Sequence, residues 1–188
     1  MPLHMLIVPT YSQMLTTLAG WLDKAQTQLP AADAQALLSA RLAPDMYPLS
    51  TQIRFACVQA YEAVYRLQGQ ALPPLVDMLL NEGRNAGKQP GSMQDARARI
   101  DDSIAMLAAV SADTPDMSGD EAIAHTLPNG IILDLTAQQY ARDWTLSQFY
   151  FHVMTAYAIL RAQGVQLGKA DYVAHMFGHI RPGTLPQG

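Results

Sequence analysis

Phe149-Tyr-Phe-His-Val-Met-Thr-Ala-Tyr-Ala-Ile-Leu-Arg-Ala-Gln-Gly164 is the most apolar helix-compatible run in the chain. Between Phe149 and Leu160 only His152 and Thr155 are strongly polar, while Tyr150 and Tyr157 add hydroxyls. A helix that is apolar nearly all round has to be covered on nearly all sides. The run therefore predicts an all-α fold built around this helix. One four-helix core cannot easily cover every side of it, so a homodimer is expected. It falls short of the roughly 20 residues needed to cross a bilayer, so no membrane role is expected. Its lone central histidine is the first candidate functional residue.

The flanks of this run set its limits. Thr136-Ala-Gln-Gln139 is a capping-box pattern that opens a helix, and Gly164 stands where a left-handed terminal residue closes one. A continuous helix from Ala137 to Gln163 would be about 40 Å long, which suggests a bend near Thr145 to Gln148. Upstream, His125-Thr-Leu and Ile131-Ile-Leu-Asp-Leu135 flank Pro128-Asn129-Gly130, a hairpin signal. His125 is expected to be exposed there.

Three more helices precede the hairpin. Tyr11, Met14, Leu15, Leu18, Trp21, Leu22 and Ala25 recur at helical spacing over residues 10–28. A shorter helical piece covers Ala31 to Leu42. After the two prolines Pro44 and Pro48, Asp45 or Ser50 is the expected cap of a helix that ends near Leu67. Val76, Met78, Leu79 and Leu80 suggest a short helical turn. Gly83, Gly87, Pro90 and Gly91 then predict a mobile, exposed loop. Ser92 with Asp95 opens a third long helix, which ends near Val110. The result is a four-helix bundle with a small β-hairpin between helices 3 and 4. One bundle domain is expected over residues 1–172, with a partly flexible tail over 173–188.

Composition narrows the function. About half of the 188 residues are apolar and the net charge is −4, which fits a globular chain and argues against non-specific nucleic-acid binding. The single cysteine, Cys57, excludes an intrachain disulfide and a cysteine-based zinc site. It lies on a core stripe and reads as a small hydrophobe. The apolar N-terminus has no basic region and is broken by prolines, so the expected compartment is the cytoplasm. Gly83, Gly87 and Gly91 recur every four residues but lack the lysine of a phosphate loop. No nucleophile elbow of the Gly-x-Ser-x-Gly type is present.

Three stretches together resemble a known family: Ala40-Arg-Leu-Ala-Pro-Asp-Met-Tyr-Pro-Leu49, Phe149 to Arg161, and Gly164-Val-Gln-Leu-Gly-Lys-Ala-Asp-Tyr172. They are similar to the uncharacterised DUF1993 family, which is grouped with the DinB/YfiT-like four-helix bundles, a group regarded as metalloenzymes. The resemblance covers roughly residues 5–172. It implies a bundle with a long crossover, a hairpin beside the last helix, and often a dimer. Metal-binding members of that group hold a divalent ion with one histidine on the second helix and two on the fourth, four residues apart. Residues so spaced share a helix face. Here His152 matches one position, Gln148 stands four residues before it, and the second helix has no histidine. The resemblance thus implies a degenerate metal site.

The candidate pocket residues are His152, Gln148, Gln52, Asp45 and Arg41. His152 reads either as a relic metal ligand and pocket group or as a histidine satisfied by a buried hydrogen bond. Asp45 and Arg41 read either as polar groups at the bundle mouth or as a cap and a surface ion. Asp171, His175 and His179 form a second, metal-like stripe in the tail, with zinc or nickel as the ion. Two functions follow. One is a homodimeric bundle with a degenerate metal site that binds a small ligand. The other is a divalent-metal enzyme of the DinB type, resembling thiol-cofactor transferases and using His152.

Overall fold

A computed structural model describes residues 2–111 and 113–184. Its long helices are α1 (His4–Gln28), α3 (Leu49–Leu67), α4 (Pro74–Asn85), α5 (Met93–Ala108) and α7 (Leu146–Ala162). The short α2 (Ala31–Ala36) and a 3-10 turn (Leu37–Ser39) join α1 to α3. Strands β1 (Ala122–Thr126) and β2 (Ile132–Thr136) pair antiparallel between α5 and the last long helix, as expected. Three residues, α6 (Ala137–Gln139), a π-turn (Tyr140–Thr145) and then α7 follow β2. The short α8 (Lys169–Tyr172) and a 3-10 turn (Ala174–His179) lie in the tail.

Helix α3 is the hub, packing on α1, α4, α5 and α7. Its sequence suits that place. Ala56, Ala60 and Ala63 are fully buried and let neighbouring backbones come close, while Ile53, Val64 and Leu67 fill the space between them. Helix α7 covers α3 with Phe149, Val153, Ala156, Ile159 and Leu160, all fully buried.

Four local expectations need correction. The first helix starts at His4 rather than residue 10, so Pro9 lies inside it. Proline there removes one backbone donor near the helix start. In return Ile7 joins the core, and the His4 N–H, otherwise unpaired at the helix start, donates to Asp116 Oδ2 at 2.8 Å. Neither Asp45 nor Ser50 caps α3. Pro48 precedes it without a side-chain cap, Asp45 is exposed, and the Ser50 hydroxyl donates to the Pro90 carbonyl at 2.6 Å.

The short turn expected after Pro74 is instead the regular helix α4 through Asn85, and the loop begins only at Ala86. Pro74 occupies its first turn, where a missing N–H costs nothing, and Val76, Leu79 and Gly83 turn toward α3. Gly83 is a packing residue rather than a breaker, because a Cβ there would run into the Phe55 ring. The Thr51 hydroxyl donates to the Gly83 carbonyl at 2.7 Å. Finally, His125 is buried at 5% exposure, because β1 alternates and turns Ile123 and His125 inward. The predicted capping boxes at Ser92/Asp95 and Thr136/Gln139 are both formed, and Gly164 adopts φ +88°.

An ion cluster ties α3, α4 and α5 together. Arg54, 3% exposed, donates from Nε to Glu82 Oε2 at 2.9 Å. Arg99 donates to the same carboxylate, Nη2 to Oε1 at 2.6 Å. Burial works against the charged Glu82 carboxyl, but the Arg99 and Arg54 bonds and charges outweigh it and hold its pKa below the usual carboxylate range. Replacing Glu82 by Ala leaves Arg54 buried without its anion and is expected to cost about 2–4 kcal/mol at neutral pH, measured by urea unfolding. Because the folded pKa is depressed, the stabilisation is complete above about pH 4.3 and is lost as pH falls through the folded value. Glu82→Ala removes that part of the acid sensitivity.

Candidate functional site

His152 sits in the second turn of α7 and faces the first turn of α3. Its Nδ1 lies 2.9 Å from Gln52 Oε1. The other end of the same amide is fixed as well, because Gln52 Nε2 donates to the Tyr47 carbonyl at 3.2 Å. A carbonyl can only accept, so the amide nitrogen must point at Tyr47 and the amide oxygen at the imidazole. Nδ1 therefore carries the hydrogen of the neutral ring, and Nε2 keeps its lone pair.

The surroundings are aromatic. The Phe55 and Phe151 rings meet the imidazole edge-on, each with centroids 5.4 Å away, and Tyr47 packs edge-on against Phe55 at 5.8 Å. Burial pushes the His152 pKa down to about 4. The ring is thus an uncharged hydrogen-bonding group throughout the physiological range.

Of the other pocket candidates, Gln52 alone joins His152. Gln148 is half-buried and, among the described residues, makes no hydrogen bond to the ring. Asp45 and Arg41 are exposed, and Arg41 Nη1 donates to the Met46 carbonyl at 3.1 Å. The donor set does not fit a divalent metal. An open catalytic site needs about three protein ligands, and here one imidazole faces one amide oxygen. Among the described residues, no group of three His, Cys, Asp or Glu side chains is placed to hold an ion.

The tail stripe does not assemble either. Asp171 is taken by Lys24 Nζ on one oxygen and by the Gly168 N–H, at 2.8 Å, on the other. His175 and His179 follow in a 3-10 turn, whose three residues per turn put positions four apart on different faces. Cys57 is fully buried, and burial pushes its thiol up to about 12, which makes it unreactive.

Two surface clefts lie elsewhere. One, of about 510 Å³, is lined by Trp21, Lys24, Asp171 and His175; the other, of about 520 Å³, by Tyr61, Tyr65, Gln68 and Met106. His152 lines neither. The aromatic collar of His152 was not readable as a set, because Tyr47, Phe55 and Phe151 come from three segments. Gln52 was one of the candidates, but Ser50, Thr51 and Arg54 stand beside it in sequence, so nothing in the chain singled it out as the partner of His152.

The family profile described as a domain of unknown function, DUF1993, matches residues 3–173. The crystal structure of a DinB family member protein from Shewanella denitrificans superimposes with a TM-score of 0.70. It is 30% identical, and the match covers 95% of this chain and 93% of that one. No curated protein matches.

Nitrogen-15 spectra of the imidazole test the tautomer. The expected signal is a neutral Nδ1–H ring whose protonation midpoint lies near 4. The unfolded chain takes up its proton at about pH 6.5, so stability falls as pH drops from there toward 4, by at most about 1.4 kcal/mol per pH unit. Gln52→Glu places a carboxylate against Nδ1–H and is expected to raise the midpoint by more than one unit.

Proposed function

We infer function from one premise: the chain belongs to the DUF1993 family. We propose that it is a cytoplasmic, homodimeric binding protein in which the metal position of DinB-like bundles has degenerated into a neutral hydrogen-bonding residue. The observation that carries this reading is the exposed apolar strip beside His152. Phe151 is 57% and Met154, three residues on along α7, 40% exposed, and Tyr47, 51% exposed, reaches the His152 ring through Phe55. Lone exposed apolar residues are ordinary, but Phe151 and Met154 share an exposed face of α7, and Phe151 also borders the buried His152, which suits a contact surface.

Pairing two copies through this strip would complete the cover that the apolar α7 lacks within one chain. It would also place a second chain over the Nε2 lone pair of His152. A small uncharged ligand with an N–H or O–H group and an apolar body fits the chamber so formed. The hydrogen would go to Nε2, and the body would lie against Phe55 and Phe151. The absence of a third ligand beside His152 and Gln52 is what favours binding over metal-dependent catalysis.

Light scattering at micromolar concentration tests the assembly. The expected result is twice the chain mass for the natural sequence and a single chain mass for the double variant Phe151→Ser, Met154→Ser, with unchanged helical circular dichroism. A monomeric natural protein removes the support for this reading.

A further inference from the structure

A second polar cluster lies at the other end of the α3–α7 seam, in the region where α1, the C-terminal half of α3, the hairpin and the π-turn meet. Tyr11 and Tyr140 are fully buried, yet among the described residues neither hydroxyl makes a hydrogen bond of ordinary geometry. The same holds for His125 Nδ1, Trp144 Nε1, Arg66 Nε and Gln59 Oε1. The Thr145 hydroxyl donates to the Ala141 carbonyl at 2.9 Å, so toward Tyr11, which it stands beside, it can only accept, and the Tyr11 oxygen keeps its acceptor capacity.

Most of these groups are neighbours, and Gln59 stands on the α3 face that carries Glu62 and Arg66, three and seven residues on. The His125 ring packs on Trp144 at 4.9 Å and on Tyr140 at 5.4 Å. Glu62 and Arg66 lie one turn apart on α3, 3.6 Å from each other, with charges that reach both Tyr140 and, for Arg66, His125. Tyr140 and Trp144, four residues apart in the π-turn, share one face and lie over His125. Such turns recur at functional sites.

Buried donors and acceptors left empty are costly, so native interiors fill them. We propose that this cluster is an internal binding site for small uncharged polar molecules, water being the smallest. The inventory sets the chemistry. Trp144 Nε1–H and Arg66 Nε–H can only donate, so the guest accepts from them. Gln59 Oε1 can only accept, so the guest also donates. The tyrosine hydroxyls and His125 do either. A charged guest is disfavoured: an anion meets Glu62 and a cation meets Arg66. Amides, alcohols and water satisfy both requirements. The site is distinct from His152 and independent of dimer formation.

The test is the sign of a conservative change. With a guest in place, Tyr11→Phe and Tyr140→Phe each delete a hydrogen bond without changing shape. Each is then expected to lower the thermal midpoint by about 2–5 °C. If the hydroxyls are truly unpaired, removing them leaves the midpoint unchanged or raises it, which overturns the proposal. A crystal structure gives the second readout. Discrete peaks within hydrogen-bond reach of both hydroxyls identify water, and a connected larger feature identifies an organic amide or alcohol; both support the site. Direct bonds among these side chains with no density between them overturn it.

Discussion

Burying α3 among four helices is the constraint from which the rest of the structure follows. A helix in that position has to carry small residues where backbones meet and must find partners for the polar groups it buries. Ala56, Ala60 and Ala63 meet the first demand. Thr51, Arg54 and Gln52 show how the second is met, by bonds to the Gly83 carbonyl, the Glu82 carboxylate and the His152 ring. Helices α3 and α7 run in opposite directions, so Gln52 meets His152 at one end of their seam and Glu62 and Arg66 lie near Tyr140 at the other.

This arrangement gives His152 a physical role that its isolation in an apolar helix leaves open. A histidine that is buried, neutral and fixed in one tautomer is costly to place. The cost is offset by Gln52, whose amide is pinned by the Tyr47 carbonyl and therefore presents oxygen and not nitrogen. The same pinning is what makes the pair a poor metal site. An amide oxygen held by an imidazole N–H is already engaged, and among the described residues no group of three His, Cys, Asp or Glu side chains gathers at the imidazole nitrogen that could ligate an ion.

Much of the fold could be read from the chain. The capping boxes at Ser92 and Thr136, the Asn129-Gly130 turn and the terminal Gly164 are local signals, and each depends on residues adjacent in sequence. The misreadings came from long-range effects. Gly83 looks like a breaker until Phe55, from another helix, occupies the space its side chain would need. Pro9 looks like a helix boundary until Asp116, more than a hundred residues away, pairs with the His4 N–H. His125 looks exposed in a hairpin until Tyr140 and Trp144 come down over it. That packing joins the hairpin to the helical segment after it, which periodicity within one segment does not reveal. At the candidate site, His152 was legible as a polar residue on an apolar helix, whereas Gln52, one of several polar residues opening α3, and the aromatic collar were joined to it only by packing.

The central claim is that His152 serves as a neutral hydrogen-bonding residue held by Gln52 and not as a metal ligand. Calorimetric titration of zinc and of nickel into untagged protein at neutral pH tests it most directly. The account predicts no saturable binding at one ion per chain, and no difference between the natural protein and His152→Ala. One ion bound per chain, lost on His152→Ala, would contradict it.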